Sequence, residues 1–191
     1  MNKFLQSICC LVFLLVPVTN VFSEVGTKIK QLELAKDTSK VNLLYDIGWS
    51  YRNSIPDSLY YYGQQALELS KKLDYQSGIA RSFSLVAVYY LYQANYDEAL
   101  KNYNQALKIY MSTRDKSKEA SVLSNVGNIY YRKSKYAEAL RFYNKALEIR
   151  QGLKNETAIS SSYTQIGVIH TELGNFDKAL DFLYQAMEIK Q

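Results

Sequence analysis

Three stretches of this chain, residues 80–107, 120–147 and 160–187, repeat one pattern at a spacing of forty residues. Ala87, Gly127 and Gly167 fall in step, as do Ala99, Ala139 and Ala179, and Ala106, Ala146 and Ala186. Tyr96, Tyr136 and Phe176 each stand three residues before the first of those alanines. Such regularity constrains the fold more than any single residue does. It specifies a repeat array, an architecture that presents surfaces for binding rather than sites for chemistry.

The units are helical. Over 96–109 the apolar residues Tyr96, Ala99, Leu100, Tyr103, Ala106, Leu107 and Ile109 recur at three- and four-residue spacing, one broad face of a helix. No stretch rich in Val, Ile and Thr alternates with period two, as a strand requires. The pattern predicts helices at 26–36, 38–53, 57–73, 76–92, 96–113, 117–132, 136–153, 157–172 and 176–190. Asn95 with Glu98 three residues on has the form of a capping box. Ser134 or Lys135, and Asn175, stand at the equivalent turns, and Gly174-Asn175 suits a left-handed helix end. The small residues have a packing role, because antiparallel helices approach to about 8 Å only where side chains at the crossing are small. Gly127 and Gly167 are expected to face Ala139 and Ala179, with Tyr130, Leu140, Tyr143 and Leu147 filling the space between.

The first 23 residues read as a signal peptide: Lys3, an apolar run over Ile8–Val18, then Val21-Phe22-Ser23 before Glu24. The competing reading is a membrane anchor, but eleven apolar residues span about 16 Å as a helix, roughly half a hydrocarbon core. Cys9 and Cys10 sit at the start of the run, whereas a lipid-bearing cysteine follows it. They are the two cysteines of the chain, so the mature segment from Glu24 has no disulfide, thiolate nucleophile or cysteine metal site. Its acidic and basic residues are interleaved, with no basic stripe for nucleic acid. Membrane association is expected only if the signal is uncleaved or the chain continues downstream. The division is then 1–23 signal peptide, 24–37 an N-terminal helix and 38–191 one four-repeat array (about 40–75, 80–115, 120–155 and 160–191).

These positions resemble the tetratricopeptide pattern. The match is Leu123, Val126, Gly127, Tyr130, Ala139, Tyr143 and Ala146 in the third repeat. It is Phe83, Val86, Ala87, Tyr90, Ala99, Tyr103 and Ala106 in the second, and Tyr163, Ile166, Gly167, His170, Ala179, Leu183 and Ala186 in the fourth. A degenerate first repeat has Leu44, Ile47, Gly48, Tyr51 and Ala66, with Leu59 and Gly63 on its second helix and Pro56 where the others carry an aromatic. The resemblance implies an all-α fold, a right-handed α-solenoid of antiparallel helix hairpins. A second resemblance lies in Lys40-Val41-Asn42-Leu43-Leu44, residues 49–54 and Pro56-Asp57-Ser58. They are similar to the exported sensor region of bacterial tetratricopeptide histidine kinases.

In tetratricopeptide proteins the first helices of successive hairpins line a concave groove. Carried over by position, the resemblance implies Asn42, Tyr45, Trp49 and Arg52 from repeat one, and Arg81, Ser84, Val88 and Tyr92 from repeat two. It implies Ser121, Ser124, Asn125, Asn128 and Arg132 from repeat three, and Thr164, Val168 and Glu172 from repeat four. Asn125, Asn128 and Arg132 resemble half of a clamp for a peptide carboxylate, since all three can donate hydrogen bonds. Arg52, Arg81 and Arg132 favour an acidic peptide.

Chemistry finds little support in the residues. His170 is the one histidine and occupies the repeat position of Tyr90 and Tyr130, a packing position. A nucleophile would lack an ordinary base, carboxylates suited to a metal do not cluster, and no glycine-rich phosphate loop occurs. No catalytic residue, cofactor or metal is expected. The chain is expected to be an exported, non-catalytic module for a protein or peptide partner. The alternatives are the sensor portion of a membrane-bound signalling protein and a self-assembling scaffold. Ala179, Leu183, Ala186 and Met187, with no following hairpin, point to a homodimer through the last helix or to a longer protein.

Overall fold

A computed structural model describes residues 24–189, and all regular structure among these described residues is helical. The signal peptide read at Met1–Ser23 lies outside the described residues. Helix α1 covers 24–34. It is followed by α2 (Asp37–Ser50), α3 (Pro56–Lys72), α4 (Gln76–Tyr92), α5 (Tyr96–Ser112), α6 (Lys116–Arg132), α7 (Tyr136–Gly152), α8 (Glu156–Glu172) and α9 (Phe176–Glu188). These bounds differ from the sequence expectation by at most three residues.

From α3 onward each helix starts twenty residues after the last, and α3 through α8 are each 17 residues long. The forty-residue period is therefore two equal halves. The turns between them share one geometry. Asp74, Ala94, Arg114, Ser134, Lys154 and Gly174 occupy equivalent positions with φ of 49, 53, 57, 55, 53 and 73°. In each turn the next amide reaches back to the carbonyl five residues earlier, as in Asn95 N to Tyr90 O at 2.9 Å and Lys135 N to Tyr130 O at 2.9 Å. This is the Schellman arrangement, which satisfies carbonyls left over at a helix end. Helix starts are set by Asn95, Asp115 and Asn155, whose side chains accept from the amides of Glu98, Lys118 and Ala158. Lys135 and Asn175 provide no such side-chain bond. The capping box at Asn95 forms only by half, because the Glu98 carboxylate turns to Lys101 at 3.2 Å. Pro56 opens α3 at the register of Tyr96, Tyr136 and Phe176, where its fixed φ suits the first helical position.

Where the sequence suggests one array over 38–191, the contacts group the chain into two compact units, one up to Leu85 and one from Val86, dividing inside α4. In the first, Val41, Leu44 and Ala66 form a buried cluster against Leu32, Tyr62, Leu69 and Tyr75. In the second, Ala139, Tyr143, Leu147, Ile166 and Ile169 form another, covered by α8 and flanked by Tyr130, Tyr136, Leu140 and Phe182. The glycine pairing follows expectation at Gly167, which faces Ala179, while at Gly127 the nearest group is Tyr143. A Cβ on Gly127 would lie 2.6 Å from the Tyr143 ring, and one on Gly167 would lie 3.1 Å from Leu183 and 3.3 Å from the Ala179 carbonyl oxygen. The helices thus cross over a bulky ring or side chain, one turn beyond the alanine. His170 is half-buried and stacks on Phe182 at 5.6 Å and 3°, as Tyr130 stacks on Phe142 at 5.3 Å and 8°.

Candidate functional site

In the first unit, Asn42, Tyr45 and Trp49 lie three and four residues apart on α2 and so share a face. Arg52 stands in the turn after α2, and Arg81 and Ser84 are on α4. Arg81 Nη1 donates to Asn42 Oδ1 at 2.7 Å, and Nη2 lies 3.4 Å from Asp46 Oδ1. Its guanidinium carbon sits 4.0 Å from the Tyr45 ring centroid. Tyr45 in turn stacks on Trp49 at 6.4 Å and 7°. Arg52 closes the row, 4.7 Å from the Trp49 centroid, with Nη1 donating to Trp49 O at 2.9 Å. The result is a cation–ring–ring–cation ladder, a favourable alternation of ring faces and guanidinium groups. Burial raises the Tyr45 hydroxyl pKa, against the opposing pull of Arg81. Trp49 does not plug the core and remains 40 % exposed. A hollow of about 260 Å³ beside it is lined by Glu24, Lys28, Asp46, Trp49, Ser50 and Arg52. Ser84 spends its hydroxyl on Ala80 O at 3.1 Å. Arg81, expected on a free positive rim, is engaged inside the protein instead.

In the second unit, α6 carries the most connected group. Tyr143 Oη donates to Asn128 Oδ1 at 2.6 Å, and Gln165 Nε2 donates to the same oxygen at 3.3 Å. Ser124 Oγ donates to Gln165 Oε1 at 2.8 Å. With its oxygen committed, Asn128 is oriented so that its amide nitrogen is the group left to offer a ligand. The Tyr143 pKa is pushed up to about 12, chiefly by burial and further by Tyr131, against the opposing pull of Arg132. Asn125 is half-buried and Arg132 exposed. Ser121 and Thr164 are exposed but bond back to the Ser117 and Ser160 carbonyls at 3.0 Å. Val168 and Tyr92 are exposed and Val88 half-buried. Glu172 accepts from Tyr131 Oη at 3.0 Å, which holds the Tyr131 pKa above its usual value.

Gln165 and Tyr131 escaped the sequence reading. Gln165 stands forty residues after Asn125, so the repeat alone could have found it. Tyr131 left no such signal, because its role depends on Glu172 of the next hairpin. Among the described residues no cluster of His, Cys, Asp and Glu could hold a metal ion. No helix among them is long and apolar enough to cross a membrane.

The tetratricopeptide-repeat family model matches residues 60–112 and 118–191. No curated protein sequence matches the chain. The fold is similar to that of BtubC (BKLC) from P. vanneervenii, with a TM-score of 0.77 and 19 % identity over 97 % of this chain and 79 % of that one. It is similar to aspartyl phosphate phosphatase F from Bacillus subtilis, with a TM-score of 0.80 and 21 % identity over 90 % of this chain and 49 % of that one. It is also similar to a Rap protein solved with competence and sporulation factor, with a TM-score of 0.80 and 18 % identity over 94 % and 53 %. The chain therefore spans about half the length of the last two. At these identities the likeness establishes an all-α helical solenoid. With the family model covering most of its length, the chain belongs to the tetratricopeptide-repeat family.

Proposed function

We propose that this chain is a non-catalytic module that binds a protein or peptide through the first helices of its hairpins, after export. The observation that carries this reading is Trp49. It is exposed, yet fixed between Tyr45 and Arg52, so little side-chain freedom is lost when a partner covers it. Rigid aromatic anchors of this kind dominate interface energies. Asn128 supplies the complementary element in the second unit, an oriented amide donor suited to a peptide carbonyl. The Rap protein solved with competence and sporulation factor offers a precedent for such binding on this fold. Arg52 and Arg132 favour an acidic partner; Arg81 contributes less, because Asp46 offsets its charge.

A displayed peptide library selected on the full chain tests the reading. Peptides enriched on the wild type and lost on Trp49→Ala support it. No enrichment, together with measurable hydrolase or transferase turnover, contradicts it.

A second reading, self-association, has its own observation. Phe176, Leu180, Leu183, Tyr184 and Met187 on α9 are exposed. On α7 the residues Tyr136, Leu140, Tyr143 and Leu147, forty earlier than four of these, are packed in the core cluster that includes α8. An uncovered apolar face of that extent is suited to a second copy of the chain.

A further inference from the structure

Among the positions at which the three complete repeats differ, one lies beside a cavity. Phe83, Leu123 and Tyr163 are equivalent, forty residues apart. In the last repeat Tyr163 lies 6.0 Å from Phe182, whose ring also stacks on His170 at 5.6 Å. Phe142 corresponds to Phe182 and has the matching neighbour on one side, Tyr130 at 5.3 Å. In place of the second aromatic it has Leu123, packed with Ala120 and Ala146. Beside Leu123 and Phe142 lies a cavity of about 670 Å³, floored by Leu107, Met111, Leu123, Phe142, Ile149 and Leu153. That volume lies in the range of small-molecule sites. It opens between the ends of α5 and α7 and the start of α6, on residues separate from those assigned above to partner binding.

The rim adds a charge preference. Lys116 is neutralised by Glu119 at 2.8 Å. Lys145 forms no ion pair among the described residues and stands at the mouth with Glu148. One unpaired ammonium favours an anionic head group, and the neighbouring carboxylate disfavours a second negative charge. Arg141 is exposed and stands 5.1 Å from the Phe142 centroid.

We infer that this cavity binds a small aromatic monoanion, its ring against Phe142 and Leu123 and its acid group on Lys145. Naphthalene-2-carboxylate is a suitable probe, titrated by its own fluorescence into the full chain. The inference expects a Kd near or below about 1 mM. Leu123→Tyr, which restores the side chain of the last repeat, should weaken binding by roughly tenfold or more while helicity is retained. Lys145→Glu changes only an exposed side chain. It should weaken the carboxylate severalfold while leaving 2-naphthylmethanol, a neutral analogue, within about twofold. No saturable binding, or equal affinity in Lys145→Glu and the wild type, overturns the inference. So does unchanged affinity in a folded Leu123→Tyr. If that variant does not fold, the Lys145→Glu comparison alone decides.

Discussion

At the scale of single residues, the account turns on how closely two helices approach. Gly127 lies against the Tyr143 ring, which is buried and tied to Asn128, so the ring cannot yield cheaply. Gly127→Ala should cost about 1–3 kcal/mol by overpacking, and Gly127→Leu more. Gly152 is a control, since a Cβ there meets nothing within 4 Å. Gly152→Ala should stabilise by about 0.5–1 kcal/mol through helix propensity. Chemical denaturation of the three variants checks both signs. The importance of Gly127 was legible in its periodicity, but its partner was not. Spacing aligns Gly127 with Ala139, whereas the direction of the side chains brings in Tyr143 from one turn further on. Tyr143 also carries a pH dependence. Its pKa of about 12 lies above the ordinary 10.0, so the folded state holds the proton more tightly. That contribution is whole below about pH 10 and is lost as pH rises through about 12. Alkaline unfolding curves should be flatter for Tyr143→Phe than for the wild type.

Helices and turns show where sequence reading succeeds and where it stops. The helices were legible to within three residues, because a three- and four-residue apolar spacing is unambiguous over 17 residues. The left-handed turn residues were not, apart from Gly174. Ala94, Arg114, Ser134 and Lys154 carry no glycine signature, yet adopt the same backbone. The Schellman bonds on either side impose it. An L residue with a Cβ is strained there. Ala94→Gly and Arg114→Gly should each raise stability by a few tenths to about 1 kcal/mol, net of the greater freedom glycine gives the unfolded chain. Helix starts give a matching pair. Asp115→Ala removes a cap bonded at 3.0 Å and should cost about 1 kcal/mol, whereas Lys135→Asn introduces one and should gain a similar amount. Thermal melts of these four variants test whether the turns work as independent modules.

For the whole molecule, the forty-residue repeat made the fold class readable before any coordinate, and the family match agrees with it. The candidate site was readable by position only. Trp49 and Asn128 stood out as types at inner-face positions. The rigidity of Asn128 did not, because it comes from Tyr143 on α7 and Gln165 on α8, and that of Trp49 did only in part, because its neighbour Tyr45 is in turn held by Arg81 on α4. For the same reason Arg81 looked like a free charge until its bond to Asn42 was seen. The uncovered face of α9 makes a prediction at this scale. Sedimentation of the full chain should show association that Leu180→Lys and Met187→Lys weaken, and a concentration-independent monomer would remove the self-association reading. The most direct measurement for the central claim is the affinity of a selected peptide for wild type, Trp49→Ala and Asn128→Ala, each verified as folded. The account predicts that the substitution in the unit the peptide engages weakens binding by roughly tenfold or more, about 1.4 kcal/mol or above. Affinities unchanged within twofold in both variants would contradict it.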